Sequence, residues 1–358
     1  MTKKKKWYHY EINRSIALIV AVTIILLFTL RMEKIELYLP GGVNEINSMV
    51  KIENEDDIKG KYYSSYVTTI TKPSPIVYFF AMNLMNAERV ELDEEDQKLT
   101  DADMDRQGRV SKKRSIDAAI VSAYRAAGHP INYQNIGVIV SYISPFSGAY
   151  DRLEVGDIII GLNQSDITNA DEFEKGFKEF TDCDALLPIT VLREDQELNF
   201  EVPLITKEKT DKDGNIVNYC YMGISYGNQF EITSSSPQFN IMNNSGSGGS
   251  AGLLQSLMIY DKLVEGDITH GLKISGTGGI NDQGKVTGIL GIKQKVLGAI
   301  KDDIDIFFAP DLGTGENNLA FIAQSVVNEE KADLIIVPVK TLQEAINYLH
   351  TLGQNEED

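Results

Sequence analysis

Cysteine is almost absent: the 358 residues contain only Cys183 and Cys220. That leaves neither a disulfide framework nor a cysteine-based metal set. One disulfide between them stays open, and two buried thiols are the expectation. Histidine is scarce too. His9, His129, His270 and His350 are scattered, and no H-E-x-x-H occurs, so a zinc protease is not expected. His270, in Asp267-Ile268-Thr269-His270-Gly271, reads as a structural residue on a surface turn. Positive charge is short: 34 Lys and Arg against 52 Asp and Glu give a net charge of −18. A nucleic-acid partner is therefore not expected. Any charge preference should run toward basic or neutral peptides, weakly and in a salt-dependent way. The glycine-rich run Gly246–Gly252 is followed by no G-K-[ST] and preceded by no dinucleotide fingerprint. Neither ATP nor NAD, nor any other cofactor or metal, is expected.

What is present is a lysine on an apolar stripe. In Gly291-Ile292-Lys293-Gln294-Lys295-Val296-Leu297-Gly298-Ala299-Ile300 the stripe runs Ile292, Val296, Ala299, Ile300, and Lys295 falls on it. Lys293 and Gln294 point the other way, as solvated residues do. Burying an ammonium is unfavourable, so a lysine there tends to lose its proton. Upstream, Gly246-Ser247-Gly248-Gly249-Ser250-Ala251-Gly252 opens an apolar helix carrying Leu253, Leu254, Leu257 and Met258. Ser250 then sits at a helix N-terminus among glycine N–H groups able to hold an oxyanion, Gly248 and Gly249 included. A hydroxyl and a neutral amine are the minimum for serine–lysine hydrolysis. The plain alternative is that Lys295 snorkels and Ser250 is only an N-cap.

These segments resemble a known family. Ser250-Ala251-Gly252 is similar to the P-S-A-G serine motif of Lon-type proteases. Gly291-Ile292-Lys293-Gln294-Lys295-Val296 is similar to their G-L-K-E-K-L segment, and Thr277-Gly278-Gly279-Ile280 to their T-G-E-I element. The serine-to-lysine separation is 45 and the threonine-to-lysine separation 18. The resemblance, over roughly residues 206–350, implies Ser250 as nucleophile, Lys295 as general base and Thr277 as the residue that orients it. The chain departs from the pattern twice: Gly249 replaces the proline and Gly279 the glutamate. Glycine for proline implies a more mobile serine loop. No ATPase module of the Lon kind is recognisable in the chain, so the resemblance implies ATP-independent hydrolysis.

Residues 131–205 alternate strand, turn, strand, helix, strand. Leu153, Gly156, Asp157, Ile159 and Asn163 match the L-x-x-G-D-x-I-x-x-x-N/D-G hallmark, with Gln164 in place of the last glycine. The segment resembles a PDZ domain. That implies peptide capture by strand addition between the Ile136–Ile143 strand and the Ala170–Phe180 helix. Ile136, Gly137 and Val138 would supply the strand edge, and Phe173 and Phe177 an apolar pocket.

The N-terminus reads as a membrane anchor. Lys3 to Lys6 form a basic block; Ser15 to Leu30 is nearly all aliphatic; Arg14 and Arg31 flank it, with Trp7, Tyr8 and Tyr10 nearby. No small-x-small cleavage site follows, so an uncleaved signal anchor with the bulk of the chain outside is expected. The expected order is a cytoplasmic basic segment (1–14), an anchor (15–32), a strand and helical region (33–130), a PDZ-like domain (131–205) and a Lon-type domain (206–358). The fold class is α/β (α+β). Anchor, PDZ-like module and Lon-type domain together resemble the pheromone-processing membrane proteases of Gram-positive bacteria. That implies a membrane-anchored serine endopeptidase acting on peptides or proteins at the extracellular face of the cell membrane. The alternative is a membrane-tethered PDZ scaffold with a decayed protease domain.

Overall fold

The structure is a computed structural model describing residues 3–55, 57–210, 214–242 and 248–354. Residues 211–213, 243–247 of the serine loop and the tail Glu356-Glu357-Asp358 lie outside the described residues. So do the side chains of Lys3 to Lys6, Trp7, Tyr8 and Tyr10.

The first helix is α1 (Lys3–Thr29). The expected anchor does not hold: among the described residues no helix is long and apolar enough to cross a membrane. The uncharged run ends at Arg14 on one side and Arg31 on the other, short of the ~20 apolar residues that span a bilayer. The single-pass assignment and the extracellular placement built on it fall with the anchor.

There follow β1 (Ile35–Glu45), β2 (Val50–Ile52), β3 (Lys61–Thr71), α2 (Pro75–Leu84), β4 (Glu88–Glu91) and α3 (Asp101–Ala126). Helix α2 stops at Leu84. Asn86 takes a left-handed turn and the chain returns as β4. Helix α3 is one continuous element. It starts at a capping box in which Thr100 Oγ1 accepts from Asp103 N and the Asp103 carboxylate accepts from Thr100 N, satisfying two helix-end donors at once.

The middle of the chain holds β5 (Ile131–Ile143), β6 (Ile158–Leu162), β7 (Ser165–Asp166), α4 (Ala170–Glu179), β8 (Leu186–Arg193), β9 (Gln196–Pro203), β10 (Ile205–Thr210), β11 (Ile216–Tyr221) and β12 (Ile224–Ser235). The main sheet runs β12-β5-β6-β8-β9, with every pairing antiparallel. Its core is Val138, Val140, Ile159, Leu187, Ile189 and Val191 under Phe173 of α4. Asp157 of the hallmark is 1% exposed. It accepts from Glu154 N and is held by the Arg193 guanidinium at 2.6 Å. The two cysteines are not buried thiols. Cys183, after α4, is bonded to Cys220 of β11. Their Cα atoms stand 5.1 Å apart, within the reach of a disulfide.

The last part contains β13 (Phe239–Ile241), α5 (Gly252–Leu263), β14 (Lys273–Gly276), β15 (Gly279–Ile280), β16 (Val286–Thr287), α6 (Ile292–Lys301), β17 (Ile306–Pro310), α7 (Leu319–Glu330), β18 (Ile335–Val339) and α8 (Leu342–Gln354). Its sheet has the order β18-β17-β14-β3-β1-β4. Three strands of this sheet come from the region 33–130, which the sequence sets apart from 206–358. Strand β3 lies parallel to β14, and β1 and β4 extend the sheet antiparallel. Helices α3, α5 and α8 cover one face and α6 and α7 the other. Phe308 therefore enters the first core and its neighbour Phe307 the second, as alternation along a strand requires. The C-terminal α/β domain and the antiparallel module share α3, which packs on both α5 and β5.

Candidate active site

Three segments meet at the C-terminal end of β14. Thr277, fully buried, follows that strand, and its N–H donates to the Phe308 carbonyl of β17. Ser250 stands just ahead of Ala251, the N-cap of α5. Its carbonyl accepts from Gly278 N at 2.8 Å and from Thr277 Oγ1 at 3.2 Å. Lys295 lies in the first turn of α6, which starts at Gly291 with φ 70°. A side chain at 291 would be strained by that left-handed backbone, and its Cβ would come within 2.8 Å of Val67. A glycine there lets α6 enter at the angle that aims Lys295 inward.

The sequence-predicted trio is brought together. Lys295 Nζ lies 2.9 Å from Ser250 Oγ and 3.0 Å from Thr277 Oγ1. Lys295 is 4% exposed and among the described residues it forms no ion pair. Burial brings its amine down to about 8, because a charged ammonium loses its hydration there. As an ammonium it donates to both hydroxyls. Neutral, it can accept the serine proton while an N–H still reaches Thr277. The apolar stripe correctly gave Lys295 an inward position and left Lys293 exposed. Gln294 is different: it is fully buried, donating from Nε2 to the Asn86 carbonyl. The turn after α2 covers that side of α6, which helical periodicity alone could not reveal.

Of the expected oxyanion donors, Gly248 is already engaged, since its N–H donates to the Gly108 carbonyl of α3. The N–H groups of Gly249 and Ser250 meet no acceptor among the described residues, and they precede a helix N-terminus, where negative charge is favoured. His270 is structural, with Nε2 3.1 Å from the Leu349 carbonyl.

Nothing in the sequence marks α3 as part of what holds the serine loop. Ser115 Oγ donates to the Gly249 carbonyl at 2.9 Å. A Cβ at 249 would lie 2.8 Å from Ser111 Oγ and 3.1 Å from the Ser111 carbonyl. Likewise a Cβ at 279 would meet Thr287 Oγ1 at 2.3 Å. Both glycine departures therefore make room for neighbours, and the loop is held by hydrogen bonds rather than by a proline ring. Restoring the proline, Gly249→Pro, should lower kcat by about tenfold or more through strain against α3. Adding Ser111→Gly should recover part of that loss. Steady-state kinetics of the single and double variants check this.

The strand-capture site looks different from its sequence reading. Both edges of β5 are taken. Strand β6 pairs with Val138 and Ile139, and β12 pairs along Ile131–Ile143. Gly137 faces Gln229 and Val138 faces Asn228 of β12, while Ile136 lies beside these pairs. Phe173 is 1% exposed and packs on Tyr226 of β12 at 4.7 Å, with Phe177 stacked on it. The groove predicted to receive a peptide is filled by the chain's own β12. Among the described residues the outer edge of β12, like that of β9 at the far end of the sheet, has no partner strand.

Residues 244–351 match the Lon protease (S16) C-terminal proteolytic domain. That match supports a serine protease. The curated Lon protease of Mesomycoplasma hyopneumoniae (strain 232) is 34% identical over 102 residues, 28% of this chain. The chain spans 11% of that relative's length. The PDZ domain of an SdrC-like protein from Listeria monocytogenes is similar to 25% of the chain, with 86% of that domain covered, 21% identity and a TM-score of 0.21. Its counterpart from Listeria innocua gives 20% identity, the same share of this chain, 92% of that domain and a TM-score of 0.20.

Proposed function

We propose that the chain is a serine endopeptidase with Ser250 as nucleophile and Lys295 as general base. The observation that carries this reading is a desolvated amine held between two hydroxyls, with no carboxylate paired to it among the described residues. Ser250 Oγ attacks the scissile carbonyl carbon as Lys295 Nζ takes its proton. The N–H groups of Gly249 and Ser250 receive the oxyanion. The ammonium then protonates the leaving amine as the C–N bond breaks, and the neutral lysine next activates the water that releases the acyl group. Thr277 holds Nζ by one hydrogen bond throughout. No step calls on a nucleotide.

The decisive experiment is labelling of the full chain with a serine-directed acylating probe, followed by digestion of a peptide library read by mass spectrometry. Wild type should label at Ser250 and cut internal bonds; Ser250→Ala should do neither. A folded wild type that neither labels nor cuts leaves the scaffold reading in place.

The antiparallel module is proposed to deliver peptide along the outer edge of β12, since β5 has no free edge. Locking β12 to β5 with a cross-strand cystine at the paired positions Ser225 and Tyr142 should leave cleavage of long peptides intact. Loss of long-peptide cleavage, with a short reporter still cut, would mean instead that substrate displaces β12.

A further inference from the structure

A cleft of about 470 Å³ opens beside the serine loop, where α3, β5, β12 and the Gly279–Asp282 segment meet, and it reaches Gly249. Three charged side chains line it: Arg114, Asp117 and Asp282. Both carboxylates have cations of their own. Lys113 lies 3.0 Å from Asp117. Arg125 lies 3.7 Å from Asp282, which also accepts from Tyr133 Oη at 2.7 Å. Arg114 has neither a hydrogen-bond nor an ion-pair partner among the described residues, and burial pulls it below its ordinary value.

Two further features show that the place is built. Strand β12 carries a glycine against the guanidinium: a Cβ at Gly227 would come 2.3 Å from Arg114 Nη2. The next cleft-lining residue but one on that strand, Gln229, is 4% exposed and its buried Oε1 has no partner among the described residues, while its Nε2 donates to the Phe230 carbonyl. A desolvated cation and an unmet acceptor lining one cleft match a group that brings a carboxylate and an N–H together. An aspartyl or glutamyl residue of an extended peptide does so.

We infer that Arg114 is a specificity-determining residue that takes an acidic side chain of the substrate next to the scissile bond, with Gln229 Oε1 accepting a substrate N–H. The inference rests on the proposed peptidase reading of Ser250 and Lys295. It runs against the chain's net charge of −18, which by itself would disfavour acidic peptides. A guanidinium in a partly desolvated cleft outweighs distant, salt-screened charges.

The test uses the full chain and peptides that differ only in carrying Glu, Gln or Lys at each position around one cleavable bond. Wild type should favour Glu over Gln at one position by about tenfold or more in kcat/KM, a factor typical of a charge-assisted contact. The difference should lie mainly in KM and shrink as salt is raised. Arg114→Gln should bring the Glu-to-Gln ratio to about one, Arg114→Lys should keep part of it, and Arg114→Glu should shift preference to Lys. A wild type that cuts all three peptides equally, or an Arg114→Gln that keeps the ratio, overturns the inference while leaving the peptidase reading intact. A wild type that neither cuts nor takes the acylating probe at Ser250 overturns both.

Discussion

Ser250→Ala and Lys295→Ala should each remove nearly all peptidase activity, by at least about a thousandfold in kcat, and the double variant should be little worse. The two side chains act as one unit, because Lys295 has no proton to take without the serine hydroxyl 2.9 Å away. Removing either abolishes the same step. What survives is background hydrolysis helped by backbone N–H groups alone. Lys293→Ala provides the internal comparison. It sits two residues before Lys295 on the exposed face of α6, so its rate should stay within about twofold of wild type, as solvent-facing changes usually do. An essential Lys293 with a dispensable Lys295 would sink the assignment. Single-turnover kinetics on one reporter peptide would compare these four variants with the wild type.

The pH profile should be the second large effect. Lys295 must be neutral to accept the serine proton, and burial brings it to about 8 from an ordinary 10.5. In the free enzyme, kcat/KM should therefore climb about tenfold per pH unit below 8 and level off above it. A flat profile between about pH 6 and 9, with the protein folded, would count against lysine as the base. Stability carries the same signature with a definite sign. The folded state disfavours the ammonium, so below about 8 the burial penalty is present in full. It fades as pH rises from about 8 toward 10.5, where the unfolded chain still binds the proton and the folded chain does not. Lys295→Met, which keeps the volume without the charge, should melt at or above the wild-type temperature at pH 7. The gap should close in alkaline buffer. Calorimetry across that range would test it.

Much of the site was legible in the sequence. The 3.6-residue period placed Lys295 among Ile292, Val296 and Ala299. The glycine-rich run ahead of Leu253 and Leu254 placed Ser250 before a helix. Local geometry sets both patterns, so local sequence carries them. Gln294 escaped because its burial depends on Asn86, far away in the chain. The apolar run at Ser15–Leu30 suggested a span, yet hydrophobic composition without sufficient length between charges does not make one.

Tertiary structure alone decided the rest. Strands β1, β3 and β4 join the sheet of the C-terminal domain because strand pairing is set by register and shape across long separations, which no local pattern encodes. The same is true of β12. Only the folded chain shows it lying along β5 and closing the groove expected to take a peptide. Helix α3 is the clearest case. Packing brings Ser111 and Ser115 onto the Gly249 loop and Arg114 into the cleft beside it. The sequence by itself determined which residues could do the chemistry. The fold determined what surrounds them, because that depends on side chains that meet only when distant segments are packed together.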